Sequence, residues 1–186
     1  MKGNMGIMLG AAQCTFRREV AAYQPYEMWT RVLCWDRKWL FIVTHIMPPG
    51  AAKPTEWLDP RSKRLRTRGA NDSAGGWERK IIATAVQKYV FKVGRFTVHP
   101  ALLLEDCGLL PTDRPGGWTS GDAQLGDETA DLGEVNLAVD GEWTWQRVEA
   151  QRRKGMEMAD KLQLLDDAIE LFDGGNQGAL ARVWPG

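Results

Sequence analysis

Between Tyr26 and Met47 the chain reads YEMWTRVLCWDRKWLFIVTHIM. Two runs rich in β-branched and aromatic residues flank Asp36-Arg37-Lys38, the only run of charges between them. The pattern predicts a β-hairpin, Glu27 to Trp35 and Trp39 to Met47, around a polar turn in which Asp36 serves the backbone. Trp29, Trp35 and Trp39 fall within eleven residues. So much apolar area in one place requires a sheet buried on at least one face. Core or subunit packing is the usual use of such tryptophans; lining a ligand tunnel is the functional alternative.

Two further strands are expected, Leu9 to Val20 and Arg79 to Lys92. Pro25 separates the first strand from the hairpin because it cannot donate to a ladder, and Pro48-Pro49-Gly50 ends the hairpin. The Arg79 to Lys92 strand carries apolar residues on both parities, Ile82 and Val86 on one and Ile81 and Tyr89 on the other. Both its faces are therefore expected to be covered. Leu162, Leu165, Ile169 and Phe172 recur at helical spacing and predict a helix from Thr144 to Phe172. Gly155 weakens its middle. A shorter helix is expected over Pro100 to Cys107. One long helix cannot cover both faces of a four-stranded sheet, so a second subunit or a further segment is expected to share the task. The chain divides into a sheet region, 1–111, with a variable loop over 48–78. An acidic Gly-rich loop follows at 112–142, then the C-terminal helix, 143–173, and a tail, 174–186.

A length of 186 residues suffices for one domain with its own core. No apolar run approaches the roughly 20 residues of a membrane helix, and Met5 to Leu9 is too short for a signal-peptide core. Cys14, Cys34 and Cys107 are odd in number and lack metal-ligand spacing. Cys14 and Cys34 fall in strand patterns where buried free thiols are common. A reducing, intracellular and cytoplasmic setting is expected. The formal net charge of zero conceals two blocks. Arg61 to Arg68 holds five basic residues in eight, whereas 115–146 has no Lys or Arg. Both read as solvated loops. The basic block has a second reading, a polyanion-binding module, but no aromatic interleaves it and specific nucleic-acid binding is not expected.

No Gly-rich phosphate loop, Gly-x-Ser-x-Gly elbow or zinc-type His/Cys cluster occurs, so no metal and no cofactor are expected. His45 and His99 are the only histidines. His99, before Pro100 at a strand exit, reads as structural. His45, on the parity of Trp39, Phe41 and Val43, is the candidate acid or base, set against the commoner role of a hydrogen-bonded strand histidine.

The hairpin text, Glu27-x-Trp29-Thr30-Arg31-Val32-Leu33-x-Trp35-Asp36-x-Lys38-Trp39-Leu40, resembles the fungal branch of the hotdog-fold acyl-CoA thioesterase-like superfamily. Leu9 to Tyr23 and Lys80 to Thr97 resemble the neighbouring strands of that family. Trp143 to Phe172 resembles its C-terminal helix, with Trp145, Glu149, Arg152 and Gly155 in familiar places. The resemblance implies an α+β hotdog-type antiparallel sheet and self-association as a homodimer or larger. It also implies hydrolysis of acyl-CoA or a related thioester, or binding of an acyl ligand. Trp29, Trp35 and Trp39 would then line the acyl site, and Lys53, Lys88 and Lys92 would be placed to reach coenzyme phosphates. In the family a carboxylate directs water, and backbone N–H groups at the start of a sheet-wrapped helix hold the thioester oxygen. That helix and the first strand precede the position of Leu9, where this sequence has eight residues. They are expected to be missing or incomplete. No catalytic Asp is carried over, and negligible hydrolysis by these 186 residues alone is the expectation. The rival reading is a structural or interaction protein that keeps the sheet without the chemistry.

Overall fold

The computed structural model describes residues 4–51, 78–111, 132, 135, 137 and 143–167. The basic block at 61–68, most of the acidic loop and the tail lie outside the described residues. Five strands form one antiparallel sheet: β1 (Met5–Phe16), β2 (Glu27–Trp35), β3 (Trp39–Met47), β4 (Ala83–Val93) and β5 (Phe96–Val98). The sheet order is β1-β4-β3-β2, and β5 pairs with Phe91–Val93 of β4. Two helices follow, α1 (Pro100–Asp106) and α2 (Trp145–Asp167). A five-stranded antiparallel sheet with a long C-terminal helix is the α+β hotdog-type make-up that the sequence implies.

The hairpin forms where its residues place it. Asp36 Oδ1 accepts the Lys38 N–H at 2.6 Å and fixes the turn, the role a short carboxylate plays in tight connections. β1 begins earlier than expected and stops at Phe16 rather than Val20: the Arg17 N–H still bonds the in-register Ile82 carbonyl, but the Arg18 N–H turns onto the same oxygen and the chain leaves the ladder there. β4 starts at Ala83, with a single 3₁₀ turn over Glu78–Lys80 where a strand was expected. The three-residue β5 is too short for pattern reading, and the sequence reading lacks it.

Register assigns the side chains to faces, since residues directly opposite share one. Trp39, Phe41, Val43 and His45 stand opposite Val90, Lys88, Val86 and Thr84. β1 joins this scheme only after a frame shift. Met5, Ile7 and Leu9 stand opposite Val93, Phe91 and Tyr89, but Ala11 stands opposite Lys88, so Gly10 is the extra residue of a β-bulge. A Cβ at Gly10 would lie 2.7 Å from Trp39 Cη2. Trp39 therefore occupies the space a side chain there would need.

By contacts the chain forms two compact units. Residues Met1–Val32 and Trp39–Val98 form the sheet unit; Leu33–Lys38 with His99–Gly186 form the second, so β2 is shared between them. In the sheet unit the core centres on Leu40, Phe41, Val43, Met47, Ile82, Ala83 and Val90. Coverage of both faces does not extend along all of β4, where Thr84, Ala85, Val86 and Gln87 are half-buried. β1 is exposed at every position but Ala11, which corrects the burial expected of Cys14.

In the second unit the end of β2 meets α2. Glu149 and Arg152 are both buried there. Arg152 Nη2 and Nε donate to the Glu149 carboxylate at 2.7 and 2.9 Å, and Nη1 donates to the Trp35 carbonyl at 3.1 Å. Exposed Gly would weaken a helix, but Gly155 is buried, and a Cβ on it would lie 2.8 Å from the Cys34 Cβ. The glycine permits close approach of helix and strand. Thr144 caps α2: its carbonyl accepts the Val148 N–H at 3.0 Å. His99 Nδ1 accepts the Ala101 N–H at 3.1 Å and caps α1, the structural role expected of it.

Candidate functional site

β3 positions His45 near its C-terminal end, half-buried, opposite Thr84 of β4, which in turn stands opposite Thr15 of β1. The three form one transverse row of polar side chains across the sheet. His45 Nδ1 lies 3.1 Å from Thr84 Oγ1. Partial burial, followed by the charge of Arg31, holds the imidazole pKa below its usual 6.5. The ring is thus neutral at pH 7. With Nδ1 engaged by Thr84, Nε2 is the nitrogen left to accept a proton or hold a polar ligand atom.

The tryptophans divide. Trp29 Nε1 donates to Glu27 Oε2 at 3.3 Å, while Glu27 Oε1 accepts the Gly50 N–H at 3.1 Å. Trp39 shares a face with His45 but lies at the far end of β3, beneath the Lys88 ammonium, 4.8 Å from the ring centroid. That cation–π contact lets Lys88 be 96% buried, since it is 4% exposed. Lys88 is therefore not free to reach a coenzyme phosphate. Lys92 is half-buried on β4, and Lys53 lies outside the described residues. Trp35 belongs to the second unit and is 5% exposed.

Three carboxylates of the hairpin and α2 have structural partners. Glu27 holds Trp29 and Gly50, Asp36 holds the turn, and Glu149 is bound by Arg152 and by Arg153 at 3.0 Å. Among the described residues no group of three His, Cys, Asp or Glu converges in a way that could hold a metal ion. Sequence reasoning passed over the cations at the end of the sheet beside the His45 row, Arg17, Arg18, Arg79 and Lys80. Their signal was present as two basic dipeptides at strand ends.

Fold and site together define an α+β protein with a five-stranded antiparallel sheet and one neutral strand histidine. In sequence the chain is thioesterase-like. It is 33% identical over 170 residues to thioesterase poxG of Penicillium oxalicum, covering 91% of this chain and 49% of that protein. It is 31% identical over 181 residues to a probable thioesterase, atnL, of Emericella nidulans, covering 94% of this chain and 50% of that one. Against thioesterase lcsJ of Purpureocillium lilacinum the identity is 29% over 159 residues, 84% of this chain and 44% of the relative. The chain thus spans about half the length of these curated relatives. No protein-family model matches it. A probable thioesterase of Escherichia coli, YbaW, superposes with a TM-score of 0.38 and 8% identity over 57% of this chain and 62% of that one, a likeness too slight to add to the sequence similarity. Among the described residues no helix is long and apolar enough to cross a membrane.

Proposed function

We propose that this chain binds acyl thioesters, acyl-CoA or a close relative, on its sheet, as part of a thioester hydrolase. The observation that carries the reading is sequence similarity to fungal thioesterases along some nine-tenths of the chain. His45 is the acid–base group of the site, with Trp29 and Trp39, of the same unit, as acyl-contact residues. We also propose an intracellular, cytoplasmic setting, supported by three free cysteines.

Hydrolysis by these residues alone is expected to stay near background. A positioned general base contributes about 10²–10⁴ in rate, and loss of a single oxyanion donor costs about 10²–10³. In the family such donors head a helix, and the described residues of the sheet unit contain no α-helix.

The test uses a non-hydrolysable S-alkyl coenzyme A thioether titrated into the 186-residue protein by calorimetry, with acyl-CoA hydrolysis measured in parallel. Binding that strengthens with alkyl length and weakens in His45→Ala supports the reading. Alkyl length without effect removes it. Robust turnover that His45→Ala abolishes would show that these residues carry a complete catalytic centre, against the rate expected here.

A further inference from the structure

Four cations lie in the two chain segments that flank the end of the sheet where β1 runs out. The Ile82 carbonyl accepts the backbone N–H of Arg17 at 2.8 Å and of Arg18 at 3.2 Å. Both residues are thereby held against the chain just before β4. Lys80 and Arg79 end the 3₁₀ turn two and three residues ahead of Ile82. All four side chains are exposed. Among the described residues none of the four makes an ion pair or side-chain hydrogen bond. Glu19 lies beside Arg18, and Glu78 adjoins Arg79 in sequence, so two positive charges remain in excess.

The surface there is concave. Phe16, Arg17, Arg18, Glu19 and Val20 line an open hollow of about 490 Å³, within the size range of small-molecule sites. Phe16 and Val20 give it an apolar flank, and both are exposed. Phe16 stands opposite Ala83, one row beyond Thr15, Thr84 and His45, with its side chain on the other face of the sheet, whereas Arg17 continues the parity of Thr15. At about 3.4 Å per strand residue, Arg17 begins roughly 7 Å from Thr15.

We propose that Arg17, Arg18, Arg79 and Lys80 form a phosphate-binding site for the thiol-bearing half of the thioester. The assignment rests on the thioester reading above and adds where the leaving group's charge is held. Guanidinium groups bind phosphate oxygens in pairs through charge-assisted hydrogen bonds. Two cations lining a hollow, with two more on the turn before β4, suit one compact anion better than a nucleic-acid duplex, whose recognition takes an extended basic stripe.

Calorimetric titration of the 186-residue protein with coenzyme A, 3′-dephospho-coenzyme A, 4′-phosphopantetheine and pantetheine tests the site. Pantetheine, which has no phosphate, is expected to bind at least about tenfold more weakly than coenzyme A. Arg17→Ala/Arg18→Ala and Arg79→Ala/Lys80→Ala are each expected to weaken coenzyme A by about tenfold or more. Arg95→Ala, in the turn between β4 and β5, is the control and should leave binding unchanged. A thermal melt of each variant separates lost binding from lost folding, and all four replaced side chains are exposed. If 4′-phosphopantetheine matches coenzyme A, the handle's own phosphate is the one held; if dephospho-coenzyme A falls short, the 3′-phosphate is. Equal affinity for pantetheine and coenzyme A, or folded double variants that keep full affinity, would overturn the proposal. The two readings fail separately. S-alkyl pantetheine binding as tightly as S-alkyl coenzyme A removes the phosphate site alone. Coenzyme A binding that depends on these cations but gains nothing from an alkyl chain removes the thioester reading alone.

Discussion

At His45, burial and the Arg31 charge act in the same direction, and both disfavour the imidazolium. The folded pKa lies below the unfolded 6.5, so the unfolded chain takes up a proton first as pH falls. The neutral ring's contribution to stability is therefore full above 6.5 and is lost as pH drops through the folded value. His45→Asn should flatten this part of the pH dependence. Thermal melts of both proteins from pH 7.5 to 5 check it; equal loss on acidification would contradict it. Cys34 shows the opposite displacement. Burial pushes its thiol up to about 12, Arg152 opposes the rise, and Asp36 and Asp160 add to it. Thiolate is the reactive form, so Cys34 should resist iodoacetamide in the folded protein while exposed Cys107 is alkylated. Peptide mass spectrometry before and after denaturation gives the answer.

At the scale of elements, α2 is held to the end of β2 by one buried ion pair and one glycine. Removing the Glu149 carboxylate leaves the Arg152 guanidinium buried with only the Trp35 carbonyl among its described partners. Breaking a buried pair from one side costs about 3–5 kcal/mol, so Glu149→Ala should lower the urea midpoint sharply. Gly155→Ala meets the Leu33 carbonyl oxygen and the Cys34 Cβ; overpacking of this kind costs about 1–3 kcal/mol. An alanine raises intrinsic helix propensity, so a stabilised Gly155→Ala would show that packing does not govern the position. Sequence alone marked these residues only as resembling a family pattern. Their physical reasons needed the partner strand, because neither an i,i+3 ion pair nor a helical glycine announces that it is buried. The hairpin was legible because its turn and its two strands are local. β5 was not, since three residues carry no period. The His45 row was half legible: parity gave the face, but Thr84 and Thr15 join it through register, which is a non-local fact. The basic end of the sheet is likewise assembled from distant residues, through the two bonds to the Ile82 carbonyl.

For the whole molecule, β1 is the exposed edge. Among the described residues it pairs on one side only, with β4, through eleven of its twelve residues, and presents Met5, Ile7, Met8, Leu9 and Phe16 to solvent. Long apolar edges recruit further strands unless charge or closure prevents it. We propose that a second copy pairs along β1; the sequence reading expects self-association, through an uncovered sheet face rather than this edge. Light scattering at micromolar concentration should give a dimer or larger species. Ile7→Lys/Leu9→Lys should shift it to monomer, and the exposed Cys14 thiol should become easier to alkylate in that variant. A monomeric parent protein would end the idea. The bulge at Gly10 bears on how this edge is written in sequence. It works as a phase corrector: the alternation of Met5, Ile7 and Leu9 is out of step with that of Ala12, Cys14 and Phe16, yet register puts all six on one face. Deleting that single residue would leave a regular strand with all six still on one face, whereas drawing Gly10 into the ladder opposite Tyr89 would turn the first three to the opposite face without altering a letter.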